Sequence, residues 1–161
     1  MLGQKVLLNQ MPIAIKDSKI DISSEETTKE LAKDLTHYLK GGEIIYLYGE
    51  MGVGKTTFVR HLINQFQKNK KSHITEVTSP TFNLLNEYDI NDLVIKHYDL
   101  FRLKDESEIK NLDLFENNQS TITLIEWPQL ISKNKSIKTI DLIFSYENEL
   151  NNRSVKISGL N

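Results

Sequence analysis

No cysteine occurs in the 161 residues, which excludes disulfide scaffolds, cysteine-ligated zinc and thiol nucleophiles. An excess of one charge is lacking too. Twenty Lys and Arg stand against 22 Asp and Glu, a net charge of -2. This argues against a surface that binds nucleic acid or membrane over its whole extent, and leaves room only for a local basic patch. No apolar run approaches the roughly 20 residues of a membrane span, and the first residues carry no secretory-signal pattern. The expectation is a soluble, cytoplasmic protein without membrane contact. Arginine is scarce: Arg60, Arg102 and Arg153 are the only planar, forked anion binders available. Proline is scarce as well, with three residues, and there is no Pro-rich linker or internal repeat. Glycine numbers only seven, yet five of these lie from position 41 to position 54, a crowding that asks for a backbone explanation.

What is present is enough for a core, at 39% hydrophobic and 26% charged residues. Residues 1–17 read as an N-terminal extension without clear period, and 18–161 as a single domain. A short strand is expected over 19–22. Ser23 with Glu26 three residues later fits a capping box, ahead of Leu31, Leu35, Tyr38 and Leu39 at helical spacing. Gly41 and Gly42 are expected to stop that helix. Residues 43–48 suit a strand buried on both faces, and 56–66 an amphipathic helix with Phe58, Val59, Leu62, Ile63 and Phe66 on one stripe. The polar run 67–73 reads as a surface loop. Strands are expected over 75–78, 83–88, 93–99, 121–127, 137–145 and 154–157, with a short helix over 106–112. This alternation favours an α/β domain with a largely parallel core and antiparallel additions.

Between the strand at 43–48 and the helix at 56–66 lies Gly-Glu-Met-Gly-Val-Gly-Lys-Thr, residues 49–56, which fits GxxxxGK[ST]. Gly49, Gly52 and Gly54 allow the backbone to approach a phosphate chain where a Cβ would clash. N–H groups at the helix start donate to phosphate oxygens, aided by the positive end of the helix dipole. Lys55 can reach the β- and γ-phosphates, and Thr56 can place its hydroxyl on Mg²⁺. At average composition the match arises by chance in about 0.5% of chains of this length. Nucleotide binding is the reading.

Such a loop needs acids at the ends of neighbouring strands to hold Mg²⁺ and orient an attacking group. Asp99 ends one apolar strand and Glu126 another. His97, two residues before Asp99, is either a packed imidazole or a catalytic one. Trp127 either belongs to the core or walls the site from water. Ser79-Pro80-Thr81 forms a rigid polar turn whose Thr81 is a candidate switch residue.

The pieces LYGEMGVGKTTFVR, SPTFNLLNEY, HYDLFRL and LIEWPQ, in that order, resemble the bacterial TsaE (formerly YjeE) ATPases of tRNA threonylcarbamoyladenosine biosynthesis. Weaker likenesses lie at SSEETTKELA and NNRSVKISG, so the resemblance runs from about Ser23 to Gly159. It implies a P-loop NTPase-like, three-layer α/β fold with four parallel central strands flanked by antiparallel ones. It implies ATP turnover to ADP in a complex with the TsaD and TsaB proteins, which modify adenosine 37 of ANN-decoding tRNAs; tRNA is then met only through that complex. Carried over residue by residue, Met51, Gly52, Val53, Gly54, Lys55, Thr56 and Thr57 bind phosphates. Thr56 and Glu126 ligand Mg²⁺, Asp99 matches the Walker-B-like acid, and Thr81 the switch threonine. Lys55, Asp99 and Glu126 form the catalytic set. Nucleotide contacts are further implied at Glu25, Asn152 and Arg153. Two alternatives stand beside a partner-stimulated ATPase: a small-molecule kinase, which the lack of an Arg-rich lid disfavours, and a nucleotide-dependent switch with negligible hydrolysis.

Overall fold

The computed structural model describes residues 19–116, 118–132, 139–149 and 151–160; the extension expected over 1–17 lies outside them. Seven strands form one sheet in the order β1-β7-β6-β2-β5-β4-β3. In chain order they are β1 (Lys19–Asp21), β2 (Ile44–Tyr48), β3 (Leu85–Ile90), β4 (Leu93–Asp99), β5 (Thr121–Glu126), β6 (Thr139–Tyr146) and β7 (Arg153–Ser158). The centre β6-β2-β5-β4 is parallel, while β3 pairs with β4, and β7 with β6 and β1, antiparallel. Four parallel strands flanked by antiparallel ones is the expected arrangement.

Helices α1 (Glu25–Leu35) and α2 (Lys55–Asn69) cover one face of the sheet. Period-two alternation decides which strand residues meet them. Ile45 and Leu47 of β2 and Leu124 of β5 pack with Leu31, Leu35, Phe58 and Leu62 of the helices. Ile44, Tyr46, Tyr98 and Ile125 point the other way, onto Leu100, Leu114 and Ile131, with Ile109 and Leu112 at the edge of that cluster. The second cover is the β4–β5 connection, which holds α3 (Glu106–Ile109) and the 3-10 turn Lys110–Leu112. The result is three layers, with every residue of β5 buried.

Several local expectations are corrected. The cap of α1 is Ser24, whose side chain accepts from the Thr27 N–H at 3.2 Å. Ser23 is still tied to the sheet edge, because Ile22 continues to pair by donating to the Arg153 carbonyl at 2.9 Å and Arg153 N donates to Ser23 Oγ at 3.0 Å. Helix α1 ends at Leu35, well before Gly41. Helix α2 runs on through the polar 67–69, where Gln67 is buried with its amide bonded to Thr75 and Asn64 while Lys68 and Asn69 face solvent, and stops where Lys71 turns left-handed at φ 53°. The strand expected over 75–78 does not form. Its backbone is met instead by α2 side chains: Asn64 donates to the Thr75 carbonyl at 3.0 Å, and Thr75 N donates to Gln67 Oε1 at 3.2 Å.

Candidate nucleotide and cation site

The parallel strands β2, β5 and β4 end together, and the chain leaves β2 directly into the glycine loop. Gly49 opens that loop at φ +146°, where a Cβ would stand 2.9 Å from both the Phe144 carbonyl oxygen and Val53 Cγ1. Gly54 closes it at φ +117° as the residue preceding α2. Among the described residues no side chain caps this helix, and its first turn carries no acid. The N–H groups and positive dipole end of a 15-residue helix therefore face the cleft with no acid in the helix's own first turn.

Register brings the two acids side by side. Asp99 of β4 is paired with Glu126 of β5, and Glu126 with Leu47 of β2. Glu126 shares its face with Leu124, the helix-packed side, and so meets the start of α2. Thr56 Oγ1 lies 3.2 Å from each Glu126 carboxylate oxygen. Asp99 accepts from Phe101 N at 3.0 Å and from Ser79 Oγ at 3.2 Å, and Ser79 Oγ lies 2.8 Å from Thr81 Oγ1. A chain of hydrogen bonds thus links the β4 acid to the Ser-Pro-Thr turn. Behind Glu126, His97 Nε2 approaches Oε2 at 2.6 Å, entirely shielded from solvent.

Lys55 reaches back along its own loop, donating to the Gly49 carbonyl and, at 3.5 Å, to that of Glu50. Its ammonium stands 3.6 Å from the centroid of the Trp127 ring. Burial lowers its pKa from the ordinary lysine value, while the charges of Glu126 and Asp99 oppose that shift. Trp127, at φ 58°, is one of the left-handed non-glycine residues, and this turn out of β5 aims its indole under Lys55. Phe101 packs against it with centroids 4.8 Å apart.

These groups line an open cleft of about 390 Å³ with Met51, Gly52, Gly54, Thr57, Ser79, Thr81 and Arg153. Of the residues singled out from sequence, Gly49, Val53, His97, Glu25 and Asn152 are outside the lining. Val53 is buried in the core, its N–H donating to the Glu50 carbonyl. Glu25 binds His61 and Arg60 at 2.9 and 3.2 Å. Asn152 exchanges backbone bonds with Glu147 and Glu149. Sequence reasoning assigned no role to Ser79 or Phe101. The Ser-Pro-Thr turn was a signal for the first; nothing local marks the second.

The oxygens gathered beside the helix start are a threonine hydroxyl and two carboxylates. Among the described residues no group of three or more His, Cys, Asp or Glu could hold a metal by itself. That donor set fits a hard cation which keeps waters and shares phosphate oxygens, as Mg²⁺ does, and does not fit a closed all-protein cage.

The family model for "Threonylcarbamoyl adenosine biosynthesis protein TsaE" matches residues 22–155. A "tRNA threonylcarbamoyladenosine biosynthesis protein TsaE" of Rickettsia conorii is 44% identical over 110 residues, 68% of this chain and 61% of that protein. The protein of the same description from Bacillus subtilis is 35% identical over 120 residues, 74% of this chain and 72% of its own. In three dimensions the chain is similar to the crystal structure of Bacillus subtilis YdiB, with a TM-score of 0.69 at 23% identity, covering 91% of this chain and 87% of that one. That likeness supports a P-loop NTPase-like fold.

Proposed function

We propose that this chain, which belongs to the TsaE family of threonylcarbamoyl adenosine biosynthesis proteins, binds and hydrolyses Mg·ATP at the glycine-loop cleft in support of a TsaD–TsaB pair. The family's part in tRNA threonylcarbamoyladenosine biosynthesis is the ground on which the finer reading stands. The observation that carries it is the meeting of Lys55, Thr56, Asp99 and Glu126 at an uncapped helix start. Lysine, hydroxyl and paired acids around free N–H donors are a set that phosphoryl transfer from a nucleotide uses and ordinary packing does not need.

The residues divide the work by chemistry. Loop N–H groups hold the phosphate chain in place. Lys55 exchanges its carbonyl partners for phosphate oxygens, a stronger, charge-assisted pairing. Thr56 and Glu126 would hold Mg²⁺, which when bound would supply positive charge against that developing on phosphate oxygens. Asp99, fixed by Ser79 and the Phe101 N–H, orients the attacking water. Trp127 and Phe101, packed against each other, form the aromatic wall at this end of the cleft. Arg153, on the wall beside Gly54, is the one arginine of the cleft lining.

The cleft is open, and its neighbourhood is apolar where it should be polar for a free surface. Met51, Phe82 and Phe101 are 64%, 85% and 47% exposed. This supports a partner that closes the site and completes the in-line arrangement. The test is ATP affinity measured by calorimetry for the parent chain and for Lys55→Ala. Loss of binding in a folded variant supports the reading, and equal affinity overturns it.

A further inference from the structure

His97 lies on β4 two residues before Asp99, with its face toward Leu124 and Glu126. It is wholly buried, and its Nε2 stands 2.6 Å from Glu126 Oε2. At that separation the ring donates its Nε2 proton and the carboxylate accepts, in a short, charge-assisted bond. The other holder of Glu126 is weaker. Thr56 Oγ1 is 3.2 Å from both carboxylate oxygens and has one proton to divide between them. A hydroxyl on a rotatable bond, which must also offer a lone pair to a cation, cannot by itself fix the carboxylate plane.

The second nitrogen gives an independent argument. Nδ1 of His97 is buried with no hydrogen-bond partner among the described residues. A buried polar nitrogen without a protein partner costs stability, and an apolar side chain of similar size would fill the space without that cost. Packing alone therefore does not account for a histidine here; the bond made by its other nitrogen does. We infer that His97 is a positioning residue that sets the orientation of the Glu126 carboxylate and thereby the affinity of the site for Mg²⁺. The inference rests on the reading of Glu126 as a cation ligand.

The experiment measures ATP binding by calorimetry across a Mg²⁺ series, with thermal melts run in parallel. Glu126→Ala, His97→Leu, His97→Gln, His97→Asn and the His97→Leu/Glu126→Ala double variant are compared with the parent chain. His97→Leu is expected to raise the Mg²⁺ concentration at half effect by about 10–100-fold, the usual consequence of losing a partner that orients a ligand. Its ATP affinity without Mg²⁺ should stay within about twofold, since the phosphate-binding loop is untouched. Gln carries an amide nitrogen where Nε2 stands and should recover most of the loss. Asn carries its own where Nδ1 stands and should not. In the Glu126→Ala background the His97 substitution should add nothing. An unchanged Mg²⁺ requirement in His97→Leu overturns the inference, as do multiplying effects in the double variant or equal behaviour of Gln and Asn. Should His97→Leu fail to fold, the Gln and Asn pair decides. A parent-like Mg²⁺ requirement in Glu126→Ala takes down the cation-ligand reading and this inference together. An altered Glu126→Ala beside an unaltered His97→Leu overturns the inference alone.

Discussion

Lys55 spends its charge on carbonyl oxygens and an indole face, in a position where burial already disfavours the ammonium. It is expected to contribute to ligand binding more than to the fold. Lys55→Ala is expected to keep the parent's circular dichroism and lose ATP binding. Glu126→Ala is expected to lower turnover by about 10²–10⁴ while nucleotide affinity changes far less, because the loop keeps its phosphate contacts. Single-turnover rates beside binding constants check this, and near-normal turnover would reduce Glu126 to a strand-end residue. At this scale the sequence is legible where chemistry is contiguous. Lys55 and Thr56 are read from an eight-residue pattern, and Asp99 and Glu126 from acids ending apolar strands. The bonds from His97 to Glu126 and from Ser79 to Asp99 are not readable, because the first depends on β4–β5 register across 29 residues and the second on the path of a loop across 20. Trp127 stays ambiguous in sequence because a left-handed turn, which no local signal announces, decides where its ring points.

Elements are positioned by a few backbone conditions that substitutions can test. Gly49→Ala places a methyl against the Phe144 carbonyl at a left-handed φ and is expected to lower stability by about 1–3 kcal/mol. Urea denaturation measures it, and an unchanged midpoint would mean the loop relaxes freely. Ser24→Ala removes the cap of α1 and should cost about 1 kcal/mol. An unchanged stability in Ser24→Ala would contradict that cap. The strands at 93–99 and 121–126 are legible from apolar runs bounded by acids. Residues 75–78 mislead because alternation reports burial, here of Val77, and not hydrogen-bond partners. Those come from Asn64 and Gln67 of α2, a tertiary substitution for a sheet. The long end of α2 is missed because its polar residues are accommodated without apolar packing: Gln67 is buried on polar partners from Thr75 and Asn64, and Lys68 and Asn69 face water.

Across the whole molecule, the sheet order places β2, β5 and β4 so that one cleft receives the glycine loop, both acids and the Ser-Pro-Thr turn. Fold class and the parallel centre follow from the alternation of elements together with the family resemblance. The openness of the cleft and the exposed Met51, Phe82 and Phe101 emerge only in three dimensions. They lead to the expectation that the isolated chain is a poor catalyst. A single supplied group that neutralises charge is worth about 10³–10⁵ in comparable phosphoryl transfers. The most direct measurement is steady-state phosphate release at saturating Mg·ATP, by the chain alone and with a TsaD–TsaB pair, with Lys55→Ala in parallel. The account predicts slow release alone, strong stimulation by the pair, and none of it with Lys55→Ala. Equal rates with and without the pair, or stimulated release that survives Lys55→Ala, would contradict it.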